Sequence, residues 1–319
     1  MIHISPYSDS IAQQLFFQPL SERTSKLCIL TSQATPSMAS WLLKSYKEQG
    51  RADIEVELII TNVFDEGIDT ISHEGFKELH GDRYSNIWNN FSCCYLCKPP
   101  ITKQNYYIWR NGETPVKAFE CSCAFSQQSM LKTNNDAISL CSVTYANALY
   151  EKNVDLSIYC NHSEVEDFIV VRSPHAMLPS ISSKENCVRL SLLARGEEIG
   201  TKSGLNWGQR NNRNKNEAYI PLPAKIARTG FFPLNKQHFL VVTDDNHTLL
   251  LRVEQQNDKA ITTPASNALL GEYFRNRLGL PNGSYIKKEH LIAYGRSNVT
   301  FYKIDEERYY MDFSVSNQR

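Results

Sequence analysis

Short apolar runs alternate with amphipathic stretches along the first half of the chain. The runs 27–32 (LCILTS) and 54–61 (IEVELIIT) are apolar over the length of a buried strand. Between them, Thr35 is a suitable N-cap, Pro36 takes the first helical position, and apolar residues recur at helical spacing to Tyr46. Further strands are predicted at 91–97, 105–109, 116–121 and 156–160, with helices at 70–80 and in the second half of 133–150. This alternation predicts an α/β domain with a mixed sheet.

The alternation stops at a segment that has no periodic pattern. Residues 173–187 (SPHAMLPSISSKENC) contain two prolines and four serines. Such a composition indicates a linker, which would separate a first domain at 1–172 from a second at 188–319. The length of 319 residues fits two domains.

The second half consists mainly of short strand-like segments. They lie at 188–194, 217–223, 238–245, 248–255, 299–305 and 309–315. A helix is predicted at 267–278, closed by Gly279, and a second short helix at 287–293. Six or seven short strands with one or two short helices predict a mainly-β domain shaped as an open barrel.

The net charge of zero hides a difference between the two halves. From Arg189 onward the chain has 19 of its 34 lysines and arginines but only 13 of its 34 acidic residues, a net charge of +6 against −6 before it. A basic C-terminal half predicts that a polyanion binds there. No stretch has the apolar region of a signal peptide, and no apolar run approaches the ~20 residues of a membrane span. We therefore expect a cytoplasmic protein without a membrane partner.

The nine cysteines, an odd number, fit free thiols in a reducing compartment. Cys93, Cys94 and Cys97 lie close together, and Cys121 and Cys123 follow, a spacing from which zinc ligands can be drawn. Alternation along a strand would, however, point Cys94 and Cys97 to opposite faces. The preferred interpretation is small buried apolar side chains, so neither a metal nor a cofactor is expected.

One stretch of the second half differs in composition, residues 202–220 (KSGLNWGQRNNRNKNEAYI). It holds four cations, one tryptophan and many amides, and no acidic residue before Glu217. Arginine, asparagine and glutamine can pair bidentately with purine edges, and cations can bind phosphates. From composition alone, two interpretations stay open: a DNA-contacting loop and a solvated hairpin loop.

Several motifs resemble those of a known family, the NgoFVII-type restriction endonucleases. They are GLNWGQR, NEAYIPLP, LLGEYFRNRLGL, AYGRSNVTFYKID and YYMDF in the second half, and TSQATPSM and NYYIWRNGETPVKAFECSCAFSQ in the first. The resemblance implies a phospholipase-D-like nuclease domain, a mixed sheet with helices, at 1–172. It implies a DNA-binding pseudobarrel of the plant B-three type at 188–319.

In such pseudobarrels two arms grip the major groove, which makes double-stranded DNA the expected partner. The resemblance implies an N-arm at 203–216 and a C-arm at 255–267, for which an ordinary strand-to-helix loop is the alternative. The residues expected to contact DNA are Lys202, Asn206, Trp207, Gln209, Arg210, Asn211, Arg213, Lys215, Asn216, Gln256, Asn257, Lys259, Thr262 and Thr263. For Arg275, Arg277 and Arg296, phosphate contacts and ion pairs both stay open.

The nuclease domain of this family carries an HxK pair and, further on, a GSxN-like turn. The resemblance implies that the histidine forms a covalent bond to phosphorus without a metal, while the lysine and asparagine stabilise charge on the phosphoryl oxygens. Aligned on the strand YYIW, the family histidine falls at Lys103 and the family lysine at Asn105. In the turn, Cys121 replaces glycine, Ser122 is kept and Ala124 replaces asparagine.

The catalytic set is therefore expected to be degenerate. The histidines nearest to position 103 are His80 and His162, and Lys103 would need an unusually low pKa to act as a nucleophile. No Walker-type loop, HExxH or GxSxG motif occurs. The acidic stretch DEGID at 65–69 is more simply a turn before a helix than a metal cluster.

The leading hypothesis is sequence-specific binding of duplex DNA within a type II restriction-modification system. The chain would keep the endonuclease architecture with a degenerate nuclease site. Its first domain would serve as a homodimer scaffold or as the partner of an active paralogue. Two alternatives stay open, an active metal-independent restriction endonuclease and a non-enzymatic DNA-binding regulator.

Overall fold

The chain divides into two structural units, Met1–Pro174 and His175–Arg319. The computed structural model describes residues 10–21, 23–80, 90–99, 104–132, 137–173, 186–194 and 197–315. The division falls inside the predicted linker, most of which lies outside the described residues. The boundaries at 172 and 188 therefore remain predictions.

The first unit alternates strands and helices. A π-helical turn (Gln13–Phe17) and a 3₁₀ turn (Gln18–Ser21) come first, followed by β1 (Lys26–Thr31), α1 (Pro36–Glu48), β2 (Glu55–Ile60), α2 (Val63–Glu66), β3 (Ile68–Asp69), α3 (Thr70–His80), β4 (Phe91–Leu96), β5 (Asn105–Asn111), β6 (Thr114–Cys121), α4 (Gln127–Met130), β7 (Ile138–Leu140), α5 (Val143–Val154), β8 (Ser157–Tyr159), α6 (Val165–Phe168) and β9 (Val171–Arg172). The predicted start of α1 is confirmed, because the Thr35 hydroxyl accepts a hydrogen bond from the Met38 N–H at 3.3 Å.

A mixed sheet forms the centre of this unit. Within the described residues its seven strands run in the order β7–β6–β5–β1–β2–β4–β8. β1, β2 and β4 are mutually parallel and the other pairs are antiparallel. Side chains of β5 alternate between the faces: Tyr106 and Ile108 pack with α5, whereas the Trp109 ring lies 6.4 Å from that of Tyr46 in α1. Helices thus cover both faces of the sheet. Its combination of parallel and antiparallel pairs confirms the predicted mixed sheet.

The second unit is mainly β. Its elements are β10 (Cys187–Ser191), a 3₁₀ helix (Gly204–Gln209), β11 (Ile220–Pro221), α7 (Ala224–Ala227), β12 (His238–Thr243), β13 (Thr248–Glu254), β14 (Ala260–Thr262), α8 (Ala268–Arg277), α9 (Lys288–Tyr294), β15 (Asn298–Lys303) and β16 (Arg308–Asp312). In this part of the described chain the strands follow the order β10–β15–β16–β12–β13–β14–β11. The two end strands approach each other, so the sheet is a nearly closed barrel.

Aromatic side chains fill the barrel. The Phe232 ring lies 5.5 Å from the rings of Phe239 and Tyr309 and 5.2 Å from that of Phe301. Phe274 of α8 joins the same core. These residues come from four strands or loops and one helix, so the core joins the barrel wall to α8.

The strand predicted at 217–223 is much shorter in the structure. Only Ile220 and Pro221 pair, and they pair with β14. The preceding residues bond elsewhere, since the Tyr219 N–H donates to the Gly204 carbonyl and the Ala218 N–H to that of Asn267. The strand β14 itself lies inside the segment predicted to be a loop, 255–267.

The cysteines are free thiols, and Cys93 and Cys121 are buried. Among the described residues, no group of three or more histidine, cysteine or acidic side chains is arranged to hold a metal ion. Nor does any helix in these ranges have the length and apolar character needed to cross a membrane.

Replacing Phe232 with alanine is expected to destabilise the second unit strongly. The side chain is 1% exposed, so truncation leaves a cavity that costs about 3–5 kcal/mol. Urea denaturation of the full chain, followed by circular dichroism, measures the change. The matched control is Ile292→Ala on α9, where the side chain is 66% exposed and a change within about 0.5 kcal/mol is expected. Equal effects of the two variants would contradict this core.

Candidate nucleic-acid interface and nuclease-motif positions

The segment predicted as the N-arm is an ordered excursion between β10 and β11. It opens with the 3₁₀ helix, whose first residue Gly204 has a φ of 57°, a left-handed value that suits glycine. Main-chain bonds close its base: the Gly208 N–H donates to Glu217 O at 2.7 Å, and the Tyr219 N–H to Gly204 O at 3.1 Å. The residues between these bonds, 209–216, form the tip of the arm.

Two asparagines predicted to contact DNA lie inside the base of the arm. Asn206 is fully buried; its Oδ1 accepts from the Ile286 N–H at 2.9 Å, and its Nδ2 donates to Ile286 O at 2.7 Å and to Gly200 O at 3.1 Å. Asn216 is buried as well, and its Oδ1 accepts from the Gly283 N–H at 2.6 Å. These amides bind the protein's own backbone and are not presented on the surface.

Gln209 likewise holds the arm. Its Nε2 donates to the carbonyls of Gly283 at 3.1 Å and Lys215 at 3.3 Å. Like Asn206 and Asn216, it joins the arm to itself or to the segment that follows α8.

Trp207 and Arg213 form a stacked pair. The guanidinium carbon of Arg213 lies 4.1 Å from the centre of the Trp207 ring, and an ion pair with Glu217 neutralises its charge. The Tyr219 ring meets Trp207 edge-on at 5.5 Å. These contacts stiffen the arm, and the charge of Arg213 is already paired with Glu217.

The exposed rim of the arm carries cations that form no ion pair among the described residues. Lys202, Arg210, Asn211 and Lys215 are exposed, and Asn212 at the turn has a φ of 59°. The Arg210 Nε donates to Lys202 O at 2.8 Å, which fixes the start of that side chain. Residues 202–216 contain no acidic residue, so the rim is cationic and rich in amides.

The predicted C-arm is smaller than expected. Its exposed part is the turn 255–259 between β13 and β14, where Gln256, Asn257 and Lys259 are exposed. Thr262 belongs to β14 and donates to Glu254 Oε2 at 3.2 Å, and Thr263 donates to a main-chain carbonyl. Both threonines are buried, so the exposed part of the predicted C-arm is the turn 255–259.

The N-arm and the turn 255–259 lie at opposite ends of the β11–β14 pair. The pair is antiparallel, with Ile220 opposite Ile261. The Ala218 N–H, at the arm end, bonds to Asn267 O at 3.1 Å, whereas the Leu222 N–H, at the other end, bonds to Lys259 O at 2.8 Å. The six residues 217 to 222 lie between the base of the N-arm and the C-arm turn, and they span at most roughly 16 Å when extended.

Three further arginines of this unit have internal partners. Arg277 pairs with Asp244 at 2.7 Å, and Arg296 pairs with Asp312 at 2.8 Å. Arg275 is fully buried. All three therefore serve the fold of the barrel in this structure.

The nuclease-motif positions of the first unit meet where β5 begins. Asn105 is 2% exposed; its Oδ1 accepts from the Thr31 hydroxyl at 2.9 Å and the Ser32 N–H at 2.8 Å, at the end of β1. Its Nδ2 donates to the carbonyls of Cys121 and Cys123, at 3.0 Å each. This amide ties the central strand to the turn after β6.

That turn carries the other two positions. Ser122 is exposed and its N–H bonds to Ala137 O at 3.0 Å, while Ala124 is half-buried. Burial raises the pKa of the neighbouring Cys121 to about 12, so its thiol stays protonated at neutral pH. Lys103 lies outside the described residues.

Histidines of this unit lie elsewhere in the described chain. His73, His80 and His162 bond to the Tyr95 hydroxyl (3.1 Å), the Cys93 N–H (2.9 Å) and the Glu164 N–H (3.2 Å). None is hydrogen-bonded to Asn105 or to the turn 121–124. The acidic stretch 65–69 leads into α3, where Asp69 Oδ1 accepts from the Ser72 N–H at 3.0 Å as a cap.

Comparison with family models matches both units. Residues 9–167 match the NgoFVII restriction endonuclease N-terminal PLD domain, and residues 180–305 match the NgoFVII C-terminal B3-like DNA-binding domain. The chain belongs to the NgoFVII restriction endonuclease family. No curated protein matches it.

As an NgoFVII-family chain, the protein presents polar rim residues beyond those predicted. Asn212 and Asn214 are exposed beside Asn211, and Gln255 is the first residue of the C-arm turn. The amide-rich composition of the N-arm already indicated the two asparagines. For Arg275, phosphate contact and an ion pair had both stayed open, and neither alternative predicted its complete burial.

Changes at Asn105 test whether this NgoFVII-family position has become structural. Asn105→Ala leaves backbone and hydroxyl groups unpaired, and we expect a loss of about 2–3 kcal/mol. Asn105→Lys introduces the residue that the family resemblance implies, but it buries a charge, so an equal or larger loss is expected. Thermal and urea unfolding measure both, with exposed Ser122→Ala as the unaffected control. A fully stable Asn105→Lys protein would contradict this role.

Proposed function

We propose that this chain binds duplex DNA sequence-specifically, as the recognition component of a type II restriction-modification system. The observation that carries the proposal is the pair of polar arms at opposite ends of the β11–β14 pair. At most roughly 16 Å of extended chain lies between their bases, on the scale of the ~12 Å width of the B-DNA major groove. We infer that one duplex contacts both arms when its major groove faces β11 and β14.

Each arm offers both kinds of contact that such recognition needs. Lys202, Lys215 and Lys259 bind phosphates and position the duplex. Arg210 and Asn211 on the N-arm, with Gln256 and Asn257 on the C-arm, read base edges. The buried or paired members of the predicted set hold the arm in shape: Asn206, Trp207, Gln209, Arg213 and Asn216.

The first unit is proposed to have lost the family's phosphodiesterase site. That chemistry needs an imidazole as nucleophile and a lysine beside it. At the lysine position stands Asn105, whose amide is engaged by four main-chain or hydroxyl groups. The unit then acts as a dimerisation scaffold, or as the partner of an active paralogue.

Substitutions on the N-arm rim test the DNA-binding proposal. The preferred duplex is first selected from a random pool with the wild-type chain. Arg210→Ala should weaken binding of that duplex by about 1–3 kcal/mol, because a base contact is lost. Lys215→Ala should weaken all duplexes alike and lower the slope of log Kd against log salt by about one, because a phosphate contact is lost.

Lys303→Ala is the matched control, since this lysine lies outside both arms and pairs with Glu306 at 2.9 Å. It should leave affinity and salt slope unchanged. If Arg210→Ala and Lys215→Ala both bind like the wild type, the N-arm assignment fails.

A second candidate function, restriction endonuclease activity, is supported by family membership itself, since residues 9–167 match the N-terminal PLD domain of the NgoFVII restriction endonuclease. Incubation of the purified chain with plasmid DNA in EDTA distinguishes DNA binding alone from metal-independent cleavage. We expect specific binding without cleavage. Metal-independent cutting by this chain alone, lost on a change at Lys103 or Ser122, would replace the degenerate-site proposal with active hydrolysis.

A further inference from the structure

A buried cation lies under the N-arm. The guanidinium of Arg275, on α8, is 0% exposed, and the hydrogen bonds it makes in the described chain all go to main-chain carbonyls. Burial lowers the pKa of Arg275, although the carboxylate of Glu272 partly offsets this. Burying a charge costs free energy unless its donors are hydrogen-bonded, so the bonds made by this guanidinium must offset that cost.

The acceptors belong to separate segments. Arg275 Nη2 donates to Leu205 O, at the start of the arm, at 3.4 Å, and Nη1 to Asn216 O, at its end, at 3.3 Å. Its Nε donates to Ser284 O at 2.9 Å, beyond α8, and Nη1 also bonds Gly271 O within the helix at 3.1 Å. One planar side chain thus joins both ends of the arm to α8 and to the segment after it.

The main chain beside the Arg275 guanidinium is packed too closely for a side chain at position 271. A Cβ on Gly271 would lie 1.6 Å from Asn216 O, so only glycine lets the arm rest on α8. Asn216 itself bonds to Glu272 Oε1 at 3.1 Å, and Asn206 bonds to Ile286. The end of the arm is therefore held from several directions, with Arg275 at the centre.

We propose that Arg275 is a positioning residue for DNA recognition: it holds the N-arm at the one height and angle at which its rim meets base edges. This inference rests on the proposed DNA-binding function. Arg275 itself contacts no DNA. It acts on specificity, because reading bases requires fixed geometry whereas phosphate attraction does not.

Three variants test the proposal, with Kd measured for the duplex selected by the wild type and for a scrambled duplex of equal length. Arg275→Met fills the space without the fork of donors. Arg275→Lys keeps the charge but lacks the planar donor geometry. Gly271→Ala keeps the Arg275 side chain, but its Cβ would lie 1.6 Å from Asn216 O and 2.8 Å from Arg275 Nη1, so it displaces the arm from α8 and from this end of the guanidinium.

The preference for the selected duplex should fall at least tenfold in Arg275→Met and Gly271→Ala, with a smaller fall in Arg275→Lys. The scrambled duplex should keep its affinity and its salt slope, since the phosphate-binding residues Lys202, Lys215 and Lys259 remain. The control Arg296→Met removes another mostly buried arginine of the same unit, paired with Asp312. It should lower the Tm and leave the preference unchanged.

The outcomes separate the two proposals. A wild type that selects no preferred duplex overturns the proposed function and this inference with it. A wild-type preference that survives in folded Arg275→Met and Gly271→Ala overturns the role of Arg275 alone, and so does an equal loss in Arg296→Met. If Arg275→Met does not fold, Arg275→Lys and Gly271→Ala decide the question by the same criteria.

Discussion

Irregular backbone that leaves a barrel carries carbonyls and N–H groups without strand partners, and these groups must be satisfied before the arm can hold one shape. In the second unit this constraint is met by three buried polar side chains, Arg275, Asn206 and Asn216. The hydrophobic core of the barrel includes Leu205 at the start of the arm, whereas the hydrogen bonds of these polar side chains hold the rest of its base. Whatever the rim of the arm does depends on this hydrogen-bonded base.

The first unit solves a related problem with Asn105. The carbonyls after β6 and the N–H after β1 would lack partners at the sheet edge without its amide. The family resemblance implies a lysine at this position. Here the neutral amide of Asn105 accepts from the chain after β1 and donates to carbonyls at the end of β6 and in the turn that follows.

Local signals predicted the elements whose determinants are local. The cap at Thr35 and the periodicity of 70–80 placed α1 and α3, and runs of apolar residues placed the central strands. The three-residue strand β14 was missed because it is short and its neighbours are polar; it pairs with β13 across the turn 255–259 and with β11, about forty residues earlier in the chain. From the sequence alone, Asn206 and Asn211 cannot be distinguished, because both are asparagines in the same amide-rich stretch. What distinguishes them is Ile286, a contact eighty residues along the chain, which no local pattern reports.

The Arg275 guanidinium under the N-arm bonds to main-chain carbonyls, and every residue has a main-chain carbonyl. Side chains at the tip of the arm can therefore be exchanged during evolution without loss of the anchor, provided that the ends of the arm and Gly271 are kept. Under the proposed role in DNA recognition, such a division lets a lineage acquire a new target sequence through a few tip substitutions while the supporting barrel stays the same. Diversification of recognition is thereby uncoupled from the inheritance of the scaffold.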